Sequence, residues 1–147
     1  LDENCAETYV YKGRFYLYVE EEEEAAECFE KAISIDPNNM KIYNDIALSY
    51  FECKNYQMAL FAFTKISETI PNYGLSNIYI AYIYLQLGKK EKFQKFFMKA
   101  VKDSPEKIMD FLKYLPEEEE GVKQLIINLK MAIEQDLKDE HDNQFNN

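Results

Sequence analysis

The feature that most constrains this chain is a period of 34 residues. Pro37, Pro71 and Pro105 stand 34 apart, and so do Tyr16, Tyr50 and Tyr84. Phe29, Phe63 and Phe97 keep the same interval, as do Lys31, Lys65 and Lys99. Four columns in one register across three units mark an internal repeat. A period of that length points to stacked units, each of which needs its neighbours to bury its apolar face, rather than to one globular core.

Spacing inside the units identifies the unit. The first reads Tyr9-x-x-Lys12-Gly13-x-x-Tyr16, then Ala25-x-x-x-Phe29, then Pro37. The second runs Tyr43-x-x-Ile46-Ala47-x-x-Tyr50, Ala59-x-x-x-Phe63, Pro71, and the third Asn77-x-x-Ile80-Ala81-x-x-Tyr84, Phe93-x-x-x-Phe97, Pro105. Each unit holds two amphipathic segments, about 7–19 and 22–35 in the first, so each is a helical hairpin. Gly13, Ala47 and Ala81 are small where two helices must approach, and the tyrosines and phenylalanines supply area that one hairpin cannot bury alone. Proline closes the second helix by driving the residue before it out of the helical region.

This pattern resembles the tetratricopeptide repeat (TPR) over residues 6 to 105. The resemblance implies an all-α fold, a right-handed α-α superhelix, with three hairpins at 6–39, 40–73 and 74–105 after an extension at 1–5. Segment 106–139 has two apolar-patterned stretches but none of the motif columns, so it reads as a degenerate repeat or capping hairpin, which an array needs to close its apolar end. Residues 140–147 read as a disordered tail. Two positions depart from the motif. Asn77 replaces an aromatic, and Phe93 stands where Ala25 and Ala59 stand, so the third hairpin is expected to be pushed apart or tilted.

The run of glutamates from Glu20 to Glu24 falls on the turn and the first turn of a second helix, where open N–H groups and the helix dipole favour negative charge. Consecutive helical glutamates point in different directions and do not converge on one ion. Charge as a whole is acidic, a net −10, distributed as −8 over residues 1–36, +4 over 37–115 and −6 over 116–147. That balance excludes nucleic acid as the expected partner, because binding it means neutralising phosphates with Lys and Arg. No apolar run reaches the roughly 20 residues of a membrane span. Cys5, Cys28 and Cys53 fit neither a disulfide framework nor a zinc spacing. Reduced cysteines, together with the lack of a basic-plus-apolar leader after Leu1, set the expectation of a cytoplasmic protein, either processed or cut from a longer chain.

Catalytic motifs are missing. His141 has no partner spacing, and there is no H-E-x-x-H, Gly-rich phosphate loop or G-x-S-x-G. The expectation is therefore no enzyme, no catalytic residue, no cofactor and no metal. TPR resemblance implies instead a concave groove, lined by the first helix of each hairpin, that takes a peptide or helix of a protein partner. Carried over by position, the groove comprises Val10, Tyr11 and Arg14 from unit one, with Glu7 and Tyr18 beside them. Unit two gives Lys41, Asn44, Asp45 and Leu48, with Glu52, and unit three Leu75, Ile78, Tyr79, Tyr82 and Gln86. One TPR subset clamps the acidic tail of heat-shock chaperones; here the clamp positions are Val10, Arg14, Asp45, Leu75 and Tyr79, of which Asp45 would repel a carboxylate.

"LSNIYIAYIYLQL" (75–87) is apolar nearly all round. It is either buried on every side or offers Leu75, Ile78, Tyr79 and Tyr82 to a hydrophobic partner. "KKEKFQKFFMKAVK" (89–102) carries six lysines and one glutamate, a solvated face or a contact for an acidic partner, including self-association with the acidic end of another copy. The reading is a protein–protein interaction module. Its alternatives are a small TPR chaperone or assembly factor, such as those of type III secretion, and a scaffold segment of a larger protein.

Overall fold

The structure, a computed structural model, describes residues 5–70, 75–104 and helical positions 107, 108, 110, 123, 124, 127, 128, 130, 131, 134, 135, 138, 139 and 141. Six helices are delimited: α1 (Ala6–Tyr18), α2 (Glu22–Ile35), α3 (Met40–Glu52), α4 (Tyr56–Thr69), α5 (Ser76–Gln86) and α6 (Lys90–Asp103). The described residues contain no strand. The expected first hairpin, 7–19 and 22–35, meets α1 and α2 to within a residue at each end. Most of the 106–139 segment and of the 140–147 tail lies outside the described residues.

The chain divides into two compact units, Leu1–Tyr79 and Ile80–Asn147. In the first, α1 lies against α2 through Gly13. A methyl group built there would meet the Phe29 ring 2.7 Å from Cδ1 and 2.8 Å from Cζ, so the hairpin needs the bare backbone. Ala47 fills the equivalent place in α3, and Ala25, Ala47, Ala59 and Phe63 are fully buried. Rings join successive elements: Phe29 meets Tyr50 edge-on with centroids 5.1 Å apart, and Phe63 stacks on Tyr79 at 4.7 Å and 3°. Asn77, the residue that breaks the aromatic column, is buried and accepts a 2.8 Å hydrogen bond from Ser67 Oγ. The column is thus filled by a polar pair where units one and two have tyrosine.

In the second unit, Phe93 is buried beside Phe97, ring centroids 5.5 Å apart, with Ala100, Val101 and Ile108 in the same core. The Lys92 ammonium lies over the Tyr84 ring, 5.2 Å from its centroid, a cation–π contact.

A further column emerges from the backbone. Glu20, Lys54 and Gly88, 34 apart, all adopt left-handed φ values of 63°, 60° and 70°. Each closes the first helix of a hairpin. The next residue's N–H donates back to the motif tyrosine: Glu21 to Tyr16 O, Asn55 to Tyr50 O, Lys89 to Tyr84 O, at 2.8–2.9 Å. Glu20, Lys54 and Gly88 themselves donate to Leu17, Phe51 and Leu85. These paired bonds form a Schellman cap, which turns the chain into the second helix and satisfies the last carbonyls of the first. Asn39 and Asn55 then cap α3 and α4, their side chains accepting from Lys41 N and Met58 N. Helix α2 lacks a side-chain cap and has Glu22, Glu23 and Glu24 in its first turn instead, in keeping with the dipole argument.

Candidate functional site

Helices α1 and α3 lie side by side within the first unit and carry most of the expected groove positions. Tyr11 and Arg14 are exposed on α1, Lys41 on α3, while Asn44, Asp45 and Leu48 are half-buried. Val10, Ile78 and Tyr82 are corrections. They are buried at 5% exposure or less, so their side chains belong to the core and give no free wall. Leu75 and Tyr79 are half-buried, and Tyr79 is committed to rings, Phe63 on its face and Phe51 edge-on at 4.9 Å. Gln86 is exposed in the second unit.

The charges on this wall neutralise one another. Arg14 donates to Glu52 at 3.4 Å across α1 and α3, and Lys41 pairs with Asp45 at 3.6 Å one turn along α3. Arg14, Glu52 and Lys41 are exposed and Asp45 is half-buried, so each pair keeps contact with water and adds little stability. A carboxylate brought to either cation would have to compete with the one already in place. The clamp positions inherit this. Val10 is buried, Arg14 is occupied by Glu52, and Asp45 stands beside the lysine, so the wall lacks the cationic cradle an acidic tail requires.

Between the ends of α1 and α3 lies a hollow of about 420 Å³ lined by Arg14, Phe15, Leu17, Tyr18, Ser49, Glu52 and Cys53. Burial pushes the Cys53 thiol up, and Glu52 and Glu22 push it further, so it stays protonated at neutral pH and is a poor nucleophile. Of this lining Phe15 and Tyr18 are 62% and 86% exposed, and Tyr11, one turn earlier on α1, is 66% exposed. They are spaced i, i+4 and i+7, one face of α1. Phe15 is absent from the positions expected from sequence, although that spacing on a helix was the signal that could have found it. A second hollow, about 410 Å³, lies in the other unit against Gln94, Phe97, Met98, Asn128, Met131 and Gln135. Among the described residues no three His, Cys, Asp or Glu side chains gather as a metal site, and no helix is long and apolar enough to cross a membrane.

Stacked hairpins with small residues at their crossings, Schellman-capped turns and a ring-to-ring seam define a helical-repeat protein. Models of the tetratricopeptide repeat match residues 6–39, 28–61 and 76–106, and the chain belongs to that family. It is similar to the TPR repeat-containing protein MJ0798 of Methanocaldococcus jannaschii, 41% identical over 58 residues. That match takes in 40% of this chain and 17% of the relative, so the chain spans a small part of that relative's length. The crystal structure of MamA resembles it at a TM-score of 0.61 with 20% identity, over 95% of this chain and 83% of that one, which supports the fold alone. The fold class is the all-α TPR superhelix. As the repeat implies, the chain is a protein-interaction module, built on a fold that typically serves as a non-enzymatic scaffold.

Proposed function

We propose that the α1–α3 wall binds an uncharged, apolar or aromatic segment of a partner polypeptide. The observation that carries this reading is the contrast on one surface: Arg14 and Lys41 are each held by a carboxylate of the wall, while Tyr11 and Tyr18 stand in solvent. Aromatic rings pack large area at little conformational cost, and the half-buried Leu48 and Asn44 supply an apolar contact and an amide for the partner's main chain. The hollow beside Tyr18 has room for one large side chain of the partner.

The test is a selection of random peptides against the immobilised protein. The expected pool is enriched in apolar and aromatic residues and depleted of Asp and Glu, and Tyr11→Ala with Leu48→Ala lowers capture at least about tenfold. A pool rich in acidic C-termini, or capture indifferent to both changes, overturns the reading.

A further inference from the structure

Helix α6 is rich in lysine, and the α1–α3 wall makes no use of it. Lys90, Lys92, Lys95, Lys99 and Lys102 stand against Glu91 and Asp103, five lysines to two acids, in a chain whose net charge is −10. All five lysines are exposed, and among the described residues Lys90, Lys92, Lys95 and Lys102 have no ion pair. Lys92 and Lys95 lie over the Tyr84 and Phe96 rings, which leaves their charge open to a carboxylate. The wall differs, since Arg14 and Lys41 are each held by an acid.

Beside these lysines, within the second unit, lies the hollow of about 410 Å³ that Gln94, Phe97 and Met98 line from α6 and Asn128, Met131 and Gln135 from the C-terminal helical positions. Phe97 is buried, while Met98 and Met131 are 44% and 64% exposed. Apolar surface continues one helical turn from Met131 to Ile127, which is 51% exposed. On α6, Lys95 and Lys102 stand three residues before and four after Met98, and Lys90 stands four before Gln94. Cations therefore border the apolar line on its own face of the helix. The described acids near this face are Glu91, Glu134 and Asp139. Asp139 accepts a 2.9 Å hydrogen bond from Gln135, and Glu134 has Lys130 and Lys138 one turn away on either side.

We propose that this hollow takes an acidic amphipathic helix of a partner protein, its apolar residues on Met98, Met131 and Ile127 and its carboxylates on Lys95 and Lys102. The charge argues the occupant: a surplus of unpaired cations beside an apolar trough is complementary to a helix with acids flanking its apolar stripe. The apolar surface runs past the hollow to Ile127, further than a small molecule confined to the hollow would cover. Methionine adapts its shape to the side chain it meets, which suits a docking trough. Exposed ion pairs are individually weak, so the apolar anchors carry affinity and the lysines select the sign of charge. A net charge of −10 disfavours the other anionic surfaces, duplex nucleic acid and acidic membrane. The site lies in the second unit and stands apart from the reading of the wall, which takes uncharged segments.

A display library of cross-linked helices of about 20 residues, randomised on every face and selected against the full chain, tests it. Short random peptides do not hold a helix, so selection at the wall does not read this site. The expected winners carry apolar residues at i, i+3 or i+4 and i+7 with Asp or Glu beside them, and replacing those acids by Lys weakens them at least about tenfold. Met98→Glu weakens them at least about tenfold while the helical circular dichroism stays unchanged, because the side chain is exposed. Lys95→Glu with Lys102→Glu turns the preference towards Lys-bearing helices. Tyr11→Ala with Leu48→Ala leaves binding as it was. On adding a winner, the methyl resonances of Met98 and Met131 shift and that of Met58 on α4 does not. An empty selection overturns the proposal, and so do winners without acids or winners indifferent to the paired lysine change. Winners that bind Met98→Glu as well as the parent, or that are lost with Tyr11→Ala and Leu48→Ala, overturn the site. Capture of anionic vesicles or duplex DNA in place of helices assigns the lysines to phosphate and overturns it as well.

Discussion

Ser67 Oγ and Asn77 Oδ1 lie 2.8 Å apart in a hydrogen bond between two buried side chains, one on α4 and one on α5. A buried amide that loses a partner is left with desolvated polarity, which costs more than the bond itself contributes. Ser67→Ala is expected to lower stability by about 1–2 kcal/mol, and Asn77→Ala to cost at least as much. Their double variant should fall short of the sum by about 0.5 kcal/mol or more, read from urea midpoints in a double-mutant cycle. Strict additivity would remove the pair as the reason asparagine stands in this column.

Gly13 gives a second prediction. Alanine is the better helix former by about 1 kcal/mol, so an open site would gain from the change. Here the methyl lands on the Phe29 ring, and the ring is held edge-on by Tyr50. Overpacking of this kind costs about 1–3 kcal/mol, so Gly13→Ala should destabilise in thermal unfolding. Shortening the ring with Phe29→Leu in the Gly13→Ala background should recover part of the loss. A neutral Gly13→Ala would mean the hairpin spreads freely.

Glu20 and Lys54 hold left-handed backbone at φ of 63° and 60°, where side chains cost roughly 1–2 kcal/mol. Gly88 occupies the same place with no such cost. Glu20→Gly and Lys54→Gly should each stabilise by up to about 1 kcal/mol, part of the strain relief being offset by the freer unfolded chain. Gly88→Ala should destabilise even though its added Cβ meets nothing within 4 Å, because the strain is in the backbone. Melting temperatures of the three single variants check the set.

Burial pushes the phenols of Tyr50 and Tyr79 up from their ordinary value, with Glu22 and Glu30 adding to the first and Glu52 to the second. Below pH 10 both folded and unfolded chains keep these protons, and the contribution is fully present. Above it the unfolded chain releases protons that the fold retains, so stability falls as pH rises. The urea midpoint should drop as pH rises above about 10, and less steeply in Tyr50→Phe or Tyr79→Phe. A slope unchanged in both variants would assign the alkaline loss to other groups.

The hairpins were legible because every third of the array repeats its packing residues, and a period is read without knowing any contact. The turn column was not, since Glu20 and Lys54 are residues that ordinarily avoid the left-handed region and only Gly88 announces it. Groove positions were harder for a different reason. One residue turns a helix by 100°, so Val10 and Tyr11 straddle the edge between core and water, and the bulk of neighbouring helices decides which side each takes. Ile78 and Tyr82 fell to the same ambiguity in a helix apolar all round. Phe15 escaped because its column reads as interior in units two and three, and exposure at the first member depends on what lies beyond it.

The ion pairs at Arg14–Glu52 and Lys41–Asp45 carry a consequence for selectivity. A ligand that acquires a phosphate would have to evict a resident carboxylate before meeting a cation here, and the evicted group would then repel it. Partners of this surface would accordingly be sorted by shape and greasiness, and a kinase acting on them would switch the contact off rather than on.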